Sequence, residues 1–288
     1  MNKINSNLRY ELCPQMREYD KMIQQWLPHL MFTQIPCYKS NVINTDINGF
    51  RFNNNNNLKN DSILINEKKK SLLLGNSAAF GVGATQDTKT ISSLLSDNDL
   101  EVLNFGGRAY NSFQEIISYI SFCDKLDKVS SVNIFSGVND YFMFKNSIQD
   151  SFVGPLYNAS VFDKKMHRLS FLYRLKKIMT LKFDFNHTYH KYPKTTLESI
   201  INRNLYFWKK ICDGANIKLN FFLQPYLFWC KDPTHEETQL VNNLDKRLDN
   251  IKYEENYNEL STMYKNICDK YNIYFYDTNK FFSSVNDK

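Results

Sequence analysis

The sequence predicts a three-layer α/β/α fold, in which helices cover both faces of a parallel sheet of about five strands. Two observations lead to this prediction. Short apolar runs alternate with longer helical stretches through most of the chain, and the short turn signals of β-hairpins are absent between them. Such alternation is typical of parallel sheets, because each strand must be followed by a crossover that brings the chain back to the end of the sheet where the strand began.

Strands are predicted wherever a short apolar run is bounded by polar or turn residues, as expected for buried parallel strands. The predicted strands cover residues 71–74, 100–105, 129–135, 217–223 and 273–276. The second of them ends in a pair of glycines, Gly106 and Gly107.

Helices are predicted between these strands and ahead of them. Residues 7–27 have apolar groups at helical spacing, and further helices are predicted over 88–96, 112–126 and 235–271, with a helical and irregular stretch over 141–211. Ser112 and Glu115 have the spacing of a capping box. We therefore divide the chain into an N-terminal helix with a wrapping extension, 1–60, and an α/β domain, 61–288.

Composition excludes several classes of protein. No run of about 18 apolar residues is present, which argues against a membrane span. The first twenty residues are polar and lack the apolar core of a secretory signal, so a cytoplasmic location is expected. The six cysteines contain no C-x-x-C pair, which favours reduced thiols over disulfides or a zinc site.

Charge and motifs give no sign of nucleic acid or of a cofactor. The net charge is +6, but the basic residues are dispersed and form no stripe with interleaved aromatic residues. His187 and His190 lack a third ligand at standard spacing, and no glycine-rich phosphate loop occurs. We therefore expect no metal, no organic cofactor and no nucleic-acid partner.

Small and polar residues follow the first three predicted strands. The segments are 75–83, 104–112 and 136–140, and they contain Ser77, Gly106 and Asn139. Ligands bind beyond the carboxyl ends of parallel strands, so these segments are expected to meet at one edge of the sheet. A hydroxyl nucleophile with converging N–H donors is what acyl transfer requires. Ser77 is the candidate nucleophile, and the N–H groups of Ser77 and Gly106 with the side-chain amide of Asn139 are candidate oxyanion donors.

The order and spacing of these segments resemble blocks I, II and III of the SGNH (GDSL-like) hydrolase superfamily. Gly75-Asn76-Ser77 is similar to block I, the segment from Asn104 to Ala109 resembles N-x-G-x-x-G with Ala109 in place of the last glycine, and Gly137-Val138-Asn139-Asp140 matches G-x-N-D. The segments 47–51 and 222–225 also resemble members from bacterial surface-polysaccharide gene clusters.

The resemblance implies a flavodoxin-like sheet and a serine carboxyl-ester hydrolase or acyltransferase. By the same resemblance, the substrate is a small-molecule or glycan acyl ester, such as an O-acetyl group on a bacterial carbohydrate. A nucleotide-binding α/β protein is a further alternative, which binding assays with nucleotides and with sugars would separate.

The sequence does not identify a general base at the position where the resemblance places it. SGNH enzymes have a D-x-x-H block after the last strand, whereas residues 278–288 contain no histidine. The D-x-x-H pattern occurs only at Asp232 to His235, where Asp232 or Thr234 would equally serve as a helix N-cap. Three outcomes remain open: an esterase that uses His235, a protein that binds without hydrolysis, or a product truncated relative to its relatives.

Overall fold

The computed structural model describes residues 6–27, 29–53, 69–97, 99–126, 128–146, 156, 195–244 and 256–282. The strands in chain order are β1 Gln24–Leu27, β2 Met31–Gln34, β3 Lys69–Gly75, β4 Leu100–Gly106, β5 Val129–Ser136, β6 Lys218–Leu223 and β7 Tyr274–Asp277. All five predicted strands are confirmed, as β3 to β7, with bounds that differ by one or two residues.

The five strands β3 to β7 form one parallel sheet in the order β4-β3-β5-β6-β7. This order is the flavodoxin-like arrangement, in which the chain reverses direction across the sheet next to its first strand. The predicted α/β class is therefore confirmed. The reversal lies between β3 and its neighbours β4 and β5, and ligands of such folds bind beyond that point.

The helices are α1 Ser6–Leu12, α2 Met16–Lys21, α3 Ser77–Phe80, α4 Ile91–Leu95, α5 Ser112–Ile120, α6 Val138–Asn146, α7 Leu197–Gly214, α8 Leu227–Cys230, α9 His235–Leu244, α10 Tyr257–Lys270 and α11 Asn279–Phe282. Two predicted helical segments are only partly covered, since 147–155, 157–194 and 245–255 lie outside the described residues. No helix in the described part of the chain is long and apolar enough to cross a bilayer.

The main core lies on the face of the sheet that α5, α7 and α10 cover. Alternate strand residues point into it, among them Leu72, Leu74, Val132 and Ile134, and all four are at most 1% exposed. Because successive side chains of a strand point to opposite faces, the intervening residues face the other layer. There Leu73 and Val102 pack with Ala79 of α3 and Ile91 of α4.

The prediction of one helix over 7–27 is wrong. Two short helices, α1 and α2, are separated by a turn that contains Pro14, and β1 then pairs with β2 in an antiparallel hairpin. Proline lacks the backbone N–H that a continuous helix needs, which explains the break. The helical spacing of the apolar residues is real within α2, whose Tyr19 is fully buried.

Two predicted helix starts are displaced. The cap of α5 is Asn111 rather than Ser112: its side chain accepts from Gln114 N, while the Gln114 side chain accepts from Asn111 N. This reciprocal pair is the capping box, one residue earlier than predicted. The predicted helix 88–96 is a 3-10 turn at Asp87–Lys89 followed by α4, which Thr90 caps.

Candidate active site

The Ser77 turn joins β3, the strand between β4 and β5, to the short helix α3. Gly75, in register with Gly106 of β4 and Phe135 of β5, is the last residue of β3, and Ser77 is the first residue of α3. The backbone of Gly75 has φ +145°, and a Cβ built there would lie 2.0 Å from Phe135 O. Only glycine fits this position, so the tight approach of β3 to β5 fixes where the turn begins.

Asn76 holds the start of α3. Its side-chain oxygen accepts from Ala78 N at 3.0 Å, and its side-chain nitrogen donates to Gln224 Oε1 at 2.5 Å. The side chain is fully buried. Ser77 beside it is half-buried, and within the described residues its Oγ makes no hydrogen bond. The hydroxyl therefore has no hydrogen-bond partner within its own turn.

Gly106 packs directly against the same helix. A Cβ on Gly106 would lie 2.2 Å from Phe80 N, so α3 rests on the end of β4. The N–H of Gly106 donates to Asn104 Oδ1 at 3.0 Å. As an oxyanion donor, this N–H would have to exchange that partner for a substrate oxygen. Ala109, which takes the place of the last glycine of block II, has φ +62°, and its N–H has no hydrogen-bond partner among the described residues. It was not predicted as an oxyanion donor.

Asn139 and Asp140 tie the loop after β5 to the loop after β4. The side-chain amide of Asn139 donates to Tyr110 O at 2.8 Å. An amide nitrogen has two hydrogens, so one of them is available to a ligand. Asp140 accepts from Ser112 N at 3.1 and 3.2 Å and from Ser112 Oγ at 2.6 Å. These bonds bring the second and third polar segments together next to the Ser77 turn.

A buried carboxyl pair lies below these loops. Burial raises the pKa of Asp140 to about 6, although its hydrogen bonds from Ser112 oppose the shift. Burial also raises the pKa of Glu115 well above its usual range; the charge of Asp140 adds to this effect, and a hydrogen bond from Ser136 opposes it. Ser136 Oγ donates to Glu115 Oε1 at 2.6 Å, and Glu115 Oε2 is buried without a partner. Glu115, predicted as a capping residue, is instead part of the interior.

The buried pair predicts that stability falls as pH rises. The folded pKa of Asp140, about 6, exceeds the ordinary 3.8, so the folded state retains a proton that the unfolded state has lost between these values. The contribution of Asp140 to stability is therefore most favourable below pH 3.8 and declines through pH 6, by about 3 kcal/mol at 1.36 kcal/mol per pH unit. Urea unfolding of Asp140→Asn and the wild type at pH 4 and pH 7 measures this effect.

The comparison of the two proteins isolates Asp140 from other carboxyl groups. The variant is expected to gain relative to the wild type as the pH rises from 4 to 7. A difference between the two that is the same at both pH values would show that folding does not raise the pKa of Asp140.

The segment with the D-x-x-H pattern forms a helix start. Thr234 Oγ1 accepts from Glu237 N at 3.2 Å, and Glu237 Oε2 accepts from Thr234 N at 2.8 Å, so Thr234 is the N-cap of α9. Asp232 and His235 are exposed, and His235 Nε2 lies 2.7 Å from Gln239 Nε2. No described histidine hydrogen-bonds to Ser77. His29 is also exposed, whereas His167, His187 and His190 lie outside the described residues.

The end of β7 has an acidic residue that the sequence analysis did not assign. Asp277 Oδ2 accepts from Tyr257 at 2.7 Å and from Ser261 at 2.6 Å, and its Oδ1 accepts from Asn279. Burial alone would raise the pKa of Asp277, but the hydrogen bonds from Ser261, Tyr257 and Asn279 outweigh burial and lower it. Asp277 is therefore a fixed anion that orders the end of β7. Within the described residues, no cluster of three or more His, Cys, Asp or Glu could hold a metal ion.

The fold and the turns at its edge define a doubly wound α/β protein whose polar loops follow the adjacent strands β4, β3 and β5. No protein-family model matches the chain, and no curated protein matches it. Among solved structures, an acetyl xylan esterase is similar at 13% sequence identity with a TM-score of 0.35, over 75% of this chain and 80% of that chain. At that score the likeness adds nothing to what the strand order already establishes.

Proposed function

We propose that this chain is a serine carboxyl-ester hydrolase or acyltransferase of the SGNH type, with Ser77 as the nucleophile. The observation that carries the proposal is the Ser77 turn, in which a half-buried hydroxyl without a hydrogen-bond partner among the described residues follows β3 at the switch point of the sheet. The substrate class, an acyl ester of a small molecule or a glycan such as an O-acetylated bacterial carbohydrate, follows from the sequence resemblance.

The chemistry assigns a role to each neighbour. Ser77 Oγ attacks the ester carbonyl carbon as its proton passes to the base, and preorganised N–H donors stabilise the oxygen that becomes negative. When the carbonyl re-forms, the C–O bond to the alcohol breaks and the alcohol takes the proton from the base. Water or an acceptor hydroxyl then releases the acyl group from Ser77. The proposed donors are Ser77 N–H, the second side-chain hydrogen of Asn139, and the N–H of Gly106 or of Ala109. The Ala109 N–H is available without breaking a hydrogen bond within the described residues, which favours it over Gly106.

The proton of the Ser77 hydroxyl must pass to a base. His235, beside Asp232, is the proposed base among the described histidines. To act as one, its ring has to leave Gln239 and come within about 3 Å of Ser77 Oγ. His235→Gln tests this role separately from the role of Ser77: an unchanged rate would exclude His235 as the base.

Ser77→Ala is expected to abolish hydrolysis of a short-chain aryl ester. Removal of the nucleophile lowers turnover by on the order of 10⁶-fold in a well-studied serine protease. Ser121→Ala is the matched control, since Ser121 is exposed and its Oγ bonds only to Ile117 O of its own helix. Turnover by Ser77→Ala equal to that of the control would exclude Ser77 as the nucleophile.

A second candidate is a catalytically silent module of the same fold that binds a glycan or a partner. It is favoured by the exposed position of His235 and by the absence of a histidine bonded to Ser77 among the described residues. The silent module predicts saccharide binding in calorimetry without any esterase activity. Activity that depends on Ser77 rules this candidate out.

A further inference from the structure

The Ser77 turn is held by a side chain from a distant strand end. Asn76 uses its oxygen to accept from Ala78 N, and this bond fixes the orientation of the amide. Its nitrogen must therefore face away from the turn, where it donates to Gln224 Oε1. Since Asn76 is fully buried, loss of this acceptor would leave an unpaired buried N–H, which is costly.

Gln224 is well placed to act as a fixed acceptor. It directly follows β6, and its backbone N–H donates to Ser136 O at 2.9 Å. Its backbone oxygen accepts from Asn279 Nδ2 at 3.3 Å, and Asn279 is itself bound to Asp277. The backbone of Gln224 is thus held on one side by β5 and on the other by the end of β7. Its side chain accepts the hydrogen bond from Asn76.

We propose that Gln224 is a positioning residue for Ser77, which acts through Asn76 and connects the ends of β6 and β7 to the nucleophile turn. The effect on the reactivity of Ser77 rests on the proposed function, whereas the effect on the geometry of the turn can be measured whether or not Ser77 reacts. Gln224 touches Asn76 and not Ser77, so its effect on chemistry is indirect.

Charge-changing variants of the pair provide a specific test. In Asn76→Asp, the carboxylate still caps Ala78, and the Gln224 amide can turn to donate to it. In Gln224→Glu, the carboxylate accepts from Asn76 as the amide oxygen did. The double variant brings two carboxylates into contact at a buried position, so one of them must be protonated. Each single variant keeps the hydrogen bond but buries one carboxylate, so each is expected to lose some stability at pH 7. The double variant is expected to lose more than the sum of the two losses and to regain stability below pH 5.

Hydrogen exchange of the peptide 74–82 measures how firmly the turn is held. The rate of labelling with a fluorophosphonate measures the reactivity of Ser77. Gln224→Ala is expected to speed exchange of Ala78 N–H about tenfold, as loss of one hydrogen bond does. It is also expected to slow labelling by about tenfold to a hundredfold, as misplacement of a reacting group does. Gln86→Ala is the control, because Gln86 is exposed and its side chain caps nothing.

The two readouts separate the two claims. Exchange over 74–82 that is unchanged in both Gln224→Ala and the double variant overturns the positioning role. A wild-type protein that is not labelled at all overturns the proposed function, while faster exchange in Gln224→Ala would still support the role of Gln224 in holding the turn.

Discussion

Gly75→Ala is expected to destabilise the fold by more than about 4 kcal/mol, which places it among the exceptional single substitutions. The added methyl would lie 2.0 Å from Phe135 O and 2.8 Å from Ala79 Cβ, and both neighbours belong to the centre of the sheet or the helix that packs on it. The backbone at φ +145° is also unfavourable for any residue with a Cβ. Relief of the clash would require β3 and β5 to separate.

Urea unfolding of the purified variant, or the yield of soluble protein when it cannot be purified, measures this effect. Gly214→Ala is the matched control: Gly214 ends α7, and a Cβ there meets no atom within 4 Å. The control is expected to keep its stability or gain up to about 1 kcal/mol. A Gly75→Ala protein within about 1 kcal/mol of the wild type would contradict the tight β3–β5 turn.

Arg51→Ala is expected to lower the free energy of unfolding by about 3–5 kcal/mol, as loss of one partner of a buried ion pair does. Arg51 is 3% exposed and forms an ion pair with Asp87 at 2.9 Å. Its guanidinium also donates to Gly81 O and Tyr19 Oη, both at 2.7 Å, and to Val42 O at 2.8 Å. The substitution leaves a half-buried carboxylate and several carbonyl groups without their donor.

The location of Arg51 also connects this variant to the Ser77 turn. Gly81 is the C-cap of α3, so Arg51 holds the far end of the helix that begins with Ser77. Arg9→Ala is the control, because the Arg9–Asp20 pair is about a third exposed and such pairs contribute at most about 1 kcal/mol. Equal losses of stability in the two variants would show that the Arg51 contacts are not formed in solution.

The sheet was predictable from sequence because buried parallel strands are short, apolar and bounded by turn residues. All five strands follow that rule, and the alternation with helices fixes their parallel direction. The N-terminal region was not predictable in the same way. Apolar residues spaced three and four apart over 7–27 fit a helix, yet Pro14 interrupts it and β1 pairs with β2 instead. Local spacing carries no information about that pairing.

The turns of the candidate site could be predicted from the sequence, but the side-chain hydrogen bonds that hold them could not. Ser77 and Asn139 follow β3 and β5, and Gly106 ends β4; the structure makes these strands adjacent, which sequence order alone suggested. The contacts of Asn76 with Gln224 and of Arg51 with Gly81 join residues far apart in the chain, and no periodicity signals them. The N–H of Gly106 likewise donates a hydrogen bond to Asn104 Oδ1, and this contact depends on the conformation of the Asn104 side chain.

The most direct test of the account is to identify the residue that a fluorophosphonate labels, by mass spectrometry of peptides from the treated wild-type protein. We expect a single adduct on Ser77, lost in Ser77→Ala and retained in Ser121→Ala. No adduct, or an adduct on a different serine, would contradict the assignment of Ser77 as the nucleophile.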